Sequence, residues 1–478
     1  MERPATRSAA KRILGRFSRT AQKSLLLTSV CLCLALVAAF GPTHDGLSEQ
    51  GVLALFILIF CAGLWVSEAI PAFAVSLLAI GLEIDLLGHN GTDESDWEKY
   101  IATWGSPLIW LFFGGFILAA AARKTGLDQW MAAFVLTRLG RRPAVILLGV
   151  MAATALMSMF LSNTATATMM VAMLSPLLLK SNEEASYGRA ILLGVALASN
   201  IGGMGTVIGT PPNAIAAGAL SNLGGVNFAE WMVFGIPPAA LLLVLAWVFL
   251  LLGYLGRGAF APSVRWDLSI NVRAEAVPKL QQLLVIVIFV VTILMWMTSP
   301  IHGIPTTVVS FIPICALTAT RTLDAEDLKG ISWDVLLLIA GGLSLGVAIN
   351  DTGLAEWIVA QLPLQGLGAL AIAIAMAYVA TALSNLMSNT AAANVILPIT
   401  IALLGTSHAY LVVPIALAAS AAMCLPISTP PNAIVYGTGQ LRTRDLLGAG
   451  LLIGLVAPLI VVGWTIVVTR LGWIDISL

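Results

Sequence analysis

The stretch Ser158-Met159-Phe160-Leu161-Ser162-Asn163-Thr164-Ala165 ends in a polar triplet that returns, 226 residues on, as Ser388-Asn389-Thr390 followed by Ala391. A serine stands four residues ahead of each copy, Ser158 and Ser384, one helical turn away and on the same face. Both copies lie inside long apolar segments, 143–180 and 363–404. Two other blocks recur in the same order. Gly114-Gly115, Thr125-Gly126-Leu127 and Trp130 return as Gly341-Gly342, Thr352-Gly353-Leu354 and Trp357, a shift of 227. Thr210-Pro211-Pro212-Asn213-Ala214-Ile215 returns as Thr429-Pro430-Pro431-Asn432-Ala433-Ile434, a shift of 219. Three blocks in one order at nearly constant offset mark two homologous halves. They are placed at 50–255 and 281–478, joined by a linker at 256–280. A basic arm at 1–23 and a first helix with its loop at 24–49 precede them.

The chain around these blocks is apolar. Of 478 residues, 59% are hydrophobic and only 10% charged, and the mean hydropathy is +0.96. A water-soluble body of this size carries roughly 25% charged residues, so a soluble domain is excluded, as are disordered, collagenous and disulfide-framework chains. Cys31, Cys33, Cys61, Cys315 and Cys424 all fall in apolar stretches with no metal-ligand spacing, and read as small hydrophobic filler. His44, His89, His302 and His408 lie near segment ends, again without metal spacing. The expected fold is an all-α polytopic membrane protein. Stretches of about 17–25 apolar residues each suffice to span hydrocarbon as a helix. Eleven such spans are predicted, near 24–40, 51–68, 70–86, 105–122, 190–220, 231–255, 281–299, 306–320, 333–349, 411–440 and 447–469.

Charge placement supplies an orientation. The arm carries seven bases against the single acid Glu2, and Ser24–Phe40 behind it reads as an uncleaved first transmembrane helix with a cytosolic N-terminus. The remaining bases then fall on the cytosolic side, except Lys99 and Arg470, and the acid-rich 83–98 segment falls outside. This asymmetry holds only if 143–180 and 363–404 enter the membrane and return as two re-entrant hairpins, the first from the cytosol and the second from outside. Five complete spans separate them, an odd number, so the halves are inverted repeats, an arrangement typical of secondary transporters. The C-terminus is expected outside, and the location is the plasma membrane, the inner membrane of a bacterium.

The repeated motifs carry the chemistry. Ser-Asn-Thr at each hairpin turn offers side-chain bonds to freed backbone groups, tolerable in hydrocarbon only around a polar cavity. Thr-Pro-Pro-Asn interrupts an apolar span and releases backbone carbonyls for a cation and N–H groups for an anion. A turn signal alone, or a plain proline kink, would not need the same residues in both halves. Hydroxyl, amide and main-chain oxygens without a carboxylate suit a monovalent alkali ion, so sodium is favoured over a proton as the coupling ion. No Arg or Lys lies in either motif, so a bound anion must rely on hydroxyls, amides, helix N-termini and co-bound sodium. Two related tips suggest a substrate with two anionic ends.

At these residues the sequence resembles the divalent-anion/sodium symporter family, which includes bacterial and animal di- and tricarboxylate transporters. The resemblance runs over nearly the whole chain after the arm. It implies a homodimer in which a scaffold domain dimerises and a transport domain carries the hairpins by an elevator motion. It implies two or more co-transported Na⁺: one site of Ser158, Ser162, Asn163 and a carbonyl at Gly209, another of Ser384, Met387, Asn389 and the carbonyl of Ser428. It implies substrate contacts from Ser162, Asn163, Thr164, Ser388, Asn389 and Thr390, helped by Thr210, Thr429 and Pro430. Ser384 and Ser428 stand where Thr and Ala occur in relatives, and both changes keep an oxygen ligand.

The expected function is sodium-coupled symport of C4-dicarboxylates such as succinate, malate or fumarate. The alternatives are a sodium-coupled sulfate or oxyanion symporter and a dicarboxylate exchanger. An intramembrane hydrolase would need an activated nucleophile, and the predicted membrane core holds no Lys, His or paired Asp to provide one. A channel would need a charge ring or filter repeat. The chain is therefore expected not to be an enzyme and not to bind nucleic acid. Its partners are a small dianion, the bilayer and a second copy.

Overall fold

The computed structural model describes residues 19–41, 44–88, 96–138, 142–178, 185–221, 223, 225–256, 278–361 and 367–473. The basic arm up to residue 18, linker residues 257–277 and the acids Asp93 and Glu94 lie outside the described residues, as do the bases Arg141, Lys180, Arg257, Arg265 and Arg273. Helices account for the fold, and no strand occurs among the described residues.

Three helices come first: α1 (Arg19–Phe40), α2 (Glu49–Ser67) and α3 (Ala72–Leu86). Next are α4 (Pro107–Lys124) and the short α5 (Leu127–Leu136). The pair α6 (Pro143–Ser158) and α7 (Asn163–Leu178) is followed by α8 (Ala185–Gly203), α9 (Pro211–Ala219) and α10 (Phe228–Leu250). The second half repeats this order. It runs through α11 (Lys279–Met297), α12 (Thr306–Ala319), α13 (Trp333–Asp351), the short α14 (Leu354–Gln361), the pair α15 (Ala369–Leu386) and α16 (Asn389–Leu404), then α17 (Val412–Ser420), α18 (Pro430–Gly437) and α19 (Thr443–Arg470).

By length and composition, eight described helices can cross a membrane, against the eleven spans expected. Two expected spans, 190–220 and 411–440, are each broken into two helices at the Thr-Pro-Pro-Asn blocks. The spans at 70–86 and 306–320 form α3 and α12, of 15 and 14 residues, too short to be counted; α3 starts two residues late, after Pro71, and α12 starts where expected. Ala369–Leu386, the first arm of the expected second hairpin, is long enough to be counted among the eight. Exposed apolar stripes run along the outer helices, Leu283, Val287, Val290 and Leu294 on α11 and Leu447, Leu451, Leu455 and Leu459 on α19. Water would penalise such surfaces; lipid does not.

Packing recurs with the shift seen in the sequence. Helix α3 packs on α13, and α12 packs on α4. Both crossings need glycine. A Cβ on Gly114 would fall 2.7 Å from the Ser310 Cβ, and one on the matching Gly341 would fall 2.3 Å from the Ser76 Cβ. Gly341→Val should therefore force α3 and α13 apart and cost about 1–3 kcal/mol, read as a lower unfolding temperature. Gly346→Ala on the same helix meets open space and should not lower it. The halves also embrace each other: α18 packs on α7 and α8, while α9 packs on α16 and α17.

The helix ends carry matched ion pairs of opposite sense. Lys124, at the end of α4, binds Asp324 at 3.1 Å and Asp327 at 2.5 Å, the cap and third residue of the short helix Ala325–Lys329 before α13. Asp351, at the matching end of α13, binds Lys99 at 2.9 Å in the segment before α4. The Lys124 ammonium holds the Asp324 carboxyl below its ordinary range. Directly beyond each end, Gly126 (φ 66°) and Gly353 (φ 72°) take left-handed conformations that turn the chain into α5 and α14.

One sequence expectation needs correction. Glu83, assigned to the outer acidic loop, lies on α3 and is fully buried, because the helix runs on to Leu86 and packs against α13.

Candidate functional site

Each Ser-Asn-Thr triplet sits where two helices meet end to end. Helix α6 stops at Ser158 and α7 begins at Asn163; α15 stops at Leu386 and α16 begins at Asn389. The triplet serines act first as helix caps. Ser162 Oγ accepts from the Ala165 N–H and Ser388 Oγ from the Ala391 N–H, both at 3.2 Å. A cap of this kind contributes about 1 kcal/mol. With the third N–H occupied, those of Asn163, Thr164, Asn389 and Thr390 remain at the two helix starts, where the peptide dipoles favour an anion.

Buried hydroxyls on these helices have a common habit. Thr125, Thr154, Ser199, Thr400, Ser420 and Thr465 each donate to the carbonyl four residues back. Ser158 and Ser384, both fully buried, do not. Ser158 Oγ lies 2.6 Å from Asn163 Oδ1 and 2.7 Å from the Ser199 carbonyl. Ser384 Oγ has no hydrogen-bond partner, and neither does Asn389 Oδ1. The halves differ here: the Thr381 hydroxyl, on α15, lies 2.9 Å from the Ala377 carbonyl and 3.0 Å from that of Ala418, the position that matches Ser199, and Ser384 bonds to neither.

The first break closes onto the first tip. A Cβ built on Gly203 would lie 2.6 Å from Asn163 Oδ1 and 3.1 Å from the Gly209 carbonyl, and one on Gly209 would lie 2.3 Å from the Gly203 carbonyl. Ser158, Asn163, Gly203 and Gly209 thus bring several neutral oxygens into one small space, with no side chain of Gly203 or Gly209 to fill it. Thr210 is buried at the start of α9, and its side chain makes no cap bond.

The second break docks on the end of α15. Asn385 Oδ1 accepts from the Cys424 N–H at 2.8 Å, and Ser428 Oγ lies 3.1 Å from the Asn385 carbonyl and 3.2 Å from its Oδ1. The Ser428 hydroxyl is therefore occupied in holding the break. Met387 is buried in extended backbone between the arms (φ −137°, ψ 176°). Thr429 Oγ1 accepts from the Asn200 amide at 3.0 Å, and Pro430 opens α18. The tips differ in access: Thr164 is exposed, whereas Thr390 is only 9% exposed. Ser388 borders a cavity of about 350 Å³ together with Trp65, Glu68 and Pro71 from the α2–α3 turn.

Four amides had no role in the sequence reading. Asn213 and Asn432, the last residues of the two Thr-Pro-Pro-Asn blocks, tie each break together. Asn213 Nδ2 donates to the Gly203 and Thr206 carbonyls (3.0 and 2.7 Å), and Asn432 Nδ2 to the Met423 and Leu425 carbonyls (both 2.9 Å). Asn200 of α8 and Asn385 of α15 each reach the second break, at Thr429 and at Cys424 and Ser428. Their signal was present: a lone amide inside an apolar helix is costly and implies a partner.

The arrangement offers oxygen-lined spaces fit for a hard monovalent cation, next to helix N-termini fit for an anion, and among the described residues no His/Cys/Asp/Glu cluster that could hold a metal ion.

Known proteins resemble the chain along most of its length. The citrate transporter family CitMHS matches residues 53–409. The sodium-dependent dicarboxylate transporter SdcS of Staphylococcus saprophyticus is 34% identical over 457 residues, covering 87% of this chain and 86% of its own. Its namesake in Staphylococcus aureus is 32% identical, covering 95% and 94%. Among solved structures, the YdaH transporter of Alcanivorax borkumensis superposes with a TM-score of 0.54 at 15% identity, over 89% of this chain and 99% of that one. MtrF of Neisseria gonorrhoeae, described among antimetabolite efflux pumps, gives 0.52 at 13% identity over 95% and 96%. At these identities the two structures establish a common fold and nothing further.

Proposed function

This chain is a membrane transporter of the divalent-anion/sodium symporter family, and from that premise we propose that it carries out sodium-coupled symport of C4-dicarboxylates such as succinate, malate or fumarate. The observation that supports this most is the pair of buried oxygens on the second hairpin, Ser384 Oγ and Asn389 Oδ1, left without partners. A buried oxygen without a donor is costly, and a bound cation repays it. Sodium is accordingly assigned to Ser384, Met387, Asn389 and the Ser428 carbonyl, and to Ser158, Asn163 and the Gly203 and Gly209 carbonyls, with Ser162 capping the arm beside them.

The dianion is held by Asn163, Thr164, Asn389 and Thr390 and by the N–H groups at the starts of α7 and α16, with Thr210, Thr429 and Pro430 around it. None of these residues carries a fixed positive charge, so substrate affinity depends on the sodium ions beside it. Coupling follows: without sodium the site presents neutral dipoles alone to a dianion. We further propose that the halves are inverted repeats, with hairpins at 143–180 and 363–404, that two chains form a homodimer, and that the hairpins travel with α8, α9, α17 and α18 in an elevator motion. The N-terminus is assigned to the cytosol and the C-terminus to the outside.

The test is uptake of labelled succinate into proteoliposomes. An inward sodium gradient should drive accumulation, and replacing sodium by potassium should abolish it. Uptake indifferent to sodium would end the coupling reading. Stronger competition by sulfate or citrate than by malate would move the substrate class, and counterflow in sodium-free buffer would identify an exchanger.

A further inference from the structure

Glu83 takes no part in the hairpin sites. It lies on α3, fully buried, in the cluster that α2, α3 and α13 form with Cys61, Leu64, Val75, Leu345 and Ala348. One carboxyl oxygen, Oε2, accepts from the Ser344 hydroxyl of α13, and the other, Oε1, has no partner. The titratable groups around it are Cys61 of α2 and Tyr100 of the short helix Glu98–Ala102, and α13 presents Ser344. The cation on that short helix, Lys99, is bound instead to Asp96 at 3.1 Å and Asp351 at 2.9 Å. Glu83 forms no salt bridge among the described residues.

A carboxylate cannot stay charged there without a counter-ion. Sodium would need a shell of several oxygens, and Glu83 with Ser344 brings only two groups, against the four assigned at each hairpin. The other unpartnered oxygen on this face of α3, Ser76 Oγ, stands seven residues back, about 10 Å along the axis. A proton needs no such shell. We propose that Glu83 is a proton-binding site, a neutral carboxylic acid in the folded chain, and that its proton keeps α3 seated on α13.

The consequence reaches the second hairpin. Gly342 of α13 leans on Asn394 of α16, so closely that a Cβ there would fall 2.0 Å from Asn394 Oδ1. Loss of the Glu83 proton would loosen α13, against which that arm packs, and give transport an alkaline limit. The group is neutral when folded and charged when unfolded near neutral pH, so folding takes up a proton and stability falls as pH rises.

The test uses the full-length purified protein, and its infrared and unfolding measurements do not depend on the substrate or on the sodium sites. The infrared difference between wild type and Glu83→Gln at neutral pH should contain the carbonyl band of a protonated acid. The wild-type unfolding temperature should fall as pH rises from about 5 to about 8 and level off above, and Glu83→Gln, which mimics the neutral acid, should lack that fall. Ser344→Ala should shift the acid band by removing its hydrogen-bond partner. If Glu83→Gln does not fold, the acid band is sought in wild type as the one lost between neutral and alkaline pH. Carboxylate bands in place of the acid band, the same fall retained in Glu83→Gln, or a band unmoved in Ser344→Ala would each overturn the proposal. So would a rise of about tenfold in the sodium needed for half-maximal uptake by Glu83→Gln, which would make this a sodium site.

Discussion

Asn389→Ala should reduce sodium-driven uptake by about 10- to 100-fold while leaving the unfolding temperature unchanged or slightly raised. The two halves of this expectation have one cause. In the fold, Asn389 Oδ1 is buried and bonded to nothing, so deleting it removes an unpaid desolvation cost rather than a contact. In the loaded transporter the same oxygen is assigned to sodium, and a contact to a charged group is worth about 1.5–3 kcal/mol, with each 1.4 kcal/mol a factor of about ten. Ser388→Ala is the contrasting variant. Its hydroxyl caps α16, so it should cost about 1 kcal/mol of stability and leave the sodium concentration for half-maximal uptake unchanged. Unfolding scans in sodium and in potassium, run beside uptake assays, separate the two. Equal loss of stability in both variants would refute the assignment of Asn389.

Asn432→Leu should be the most destabilising of the single changes considered, at about 2–6 kcal/mol. Its amide is the donor to two buried carbonyls, Met423 and Leu425, at 2.9 Å each, and each carbonyl left bare costs about 1–3 kcal/mol. Its own oxygen lies 3.4 Å from the Asn200 amide, so that donor also loses a partner. Asn213→Leu should behave alike, since its amide serves Gly203 and Thr206 in the same way. Asn432→Asp keeps the shape but turns an acceptor toward two acceptors, and should be no milder. Loss of the monodisperse peak in size-exclusion chromatography, with a lowered unfolding temperature, is the expected readout. An Asn432→Leu protein as stable as wild type would mean that these carbonyls find other donors.

Much of this was legible beforehand because it depends on pattern alone. The apolar stretches fix an all-helical membrane protein, and the repeated blocks fix which helices correspond. They also place the breaks, since two adjacent prolines cannot sit inside a continuing helix. The number of spans was less legible. Helices α3 and α12, of 15 and 14 residues, fall short of spanning length, and whether an interrupted stretch is one element or two is a matter of backbone geometry. The candidate ligands were found by residue type, but their division of labour was not. Ser162 and Ser388 read like site residues, and both cap helices. Ser428 was chosen for its carbonyl, and its hydroxyl proves to be tied to Asn385.

What the sequence determined by itself is the membrane class, the two matched halves and the polar triplets at their centres. Each is a statement about spacing, and spacing is written in the chain. The tertiary structure alone decided which of two matched serines keeps a partner. The Ser158 hydroxyl lies within hydrogen-bond distance of Asn163 Oδ1 and the Ser199 carbonyl, while at the corresponding Ala418 carbonyl the nearby hydroxyl is that of Thr381 and not Ser384. It alone removed Glu83 from an outer loop and buried it beside Ser344. The physical reason is the same in both cases. A polar atom in an apolar interior is defined by the partner it reaches, and the partners on other helices lie 37 to 261 residues away in the chain.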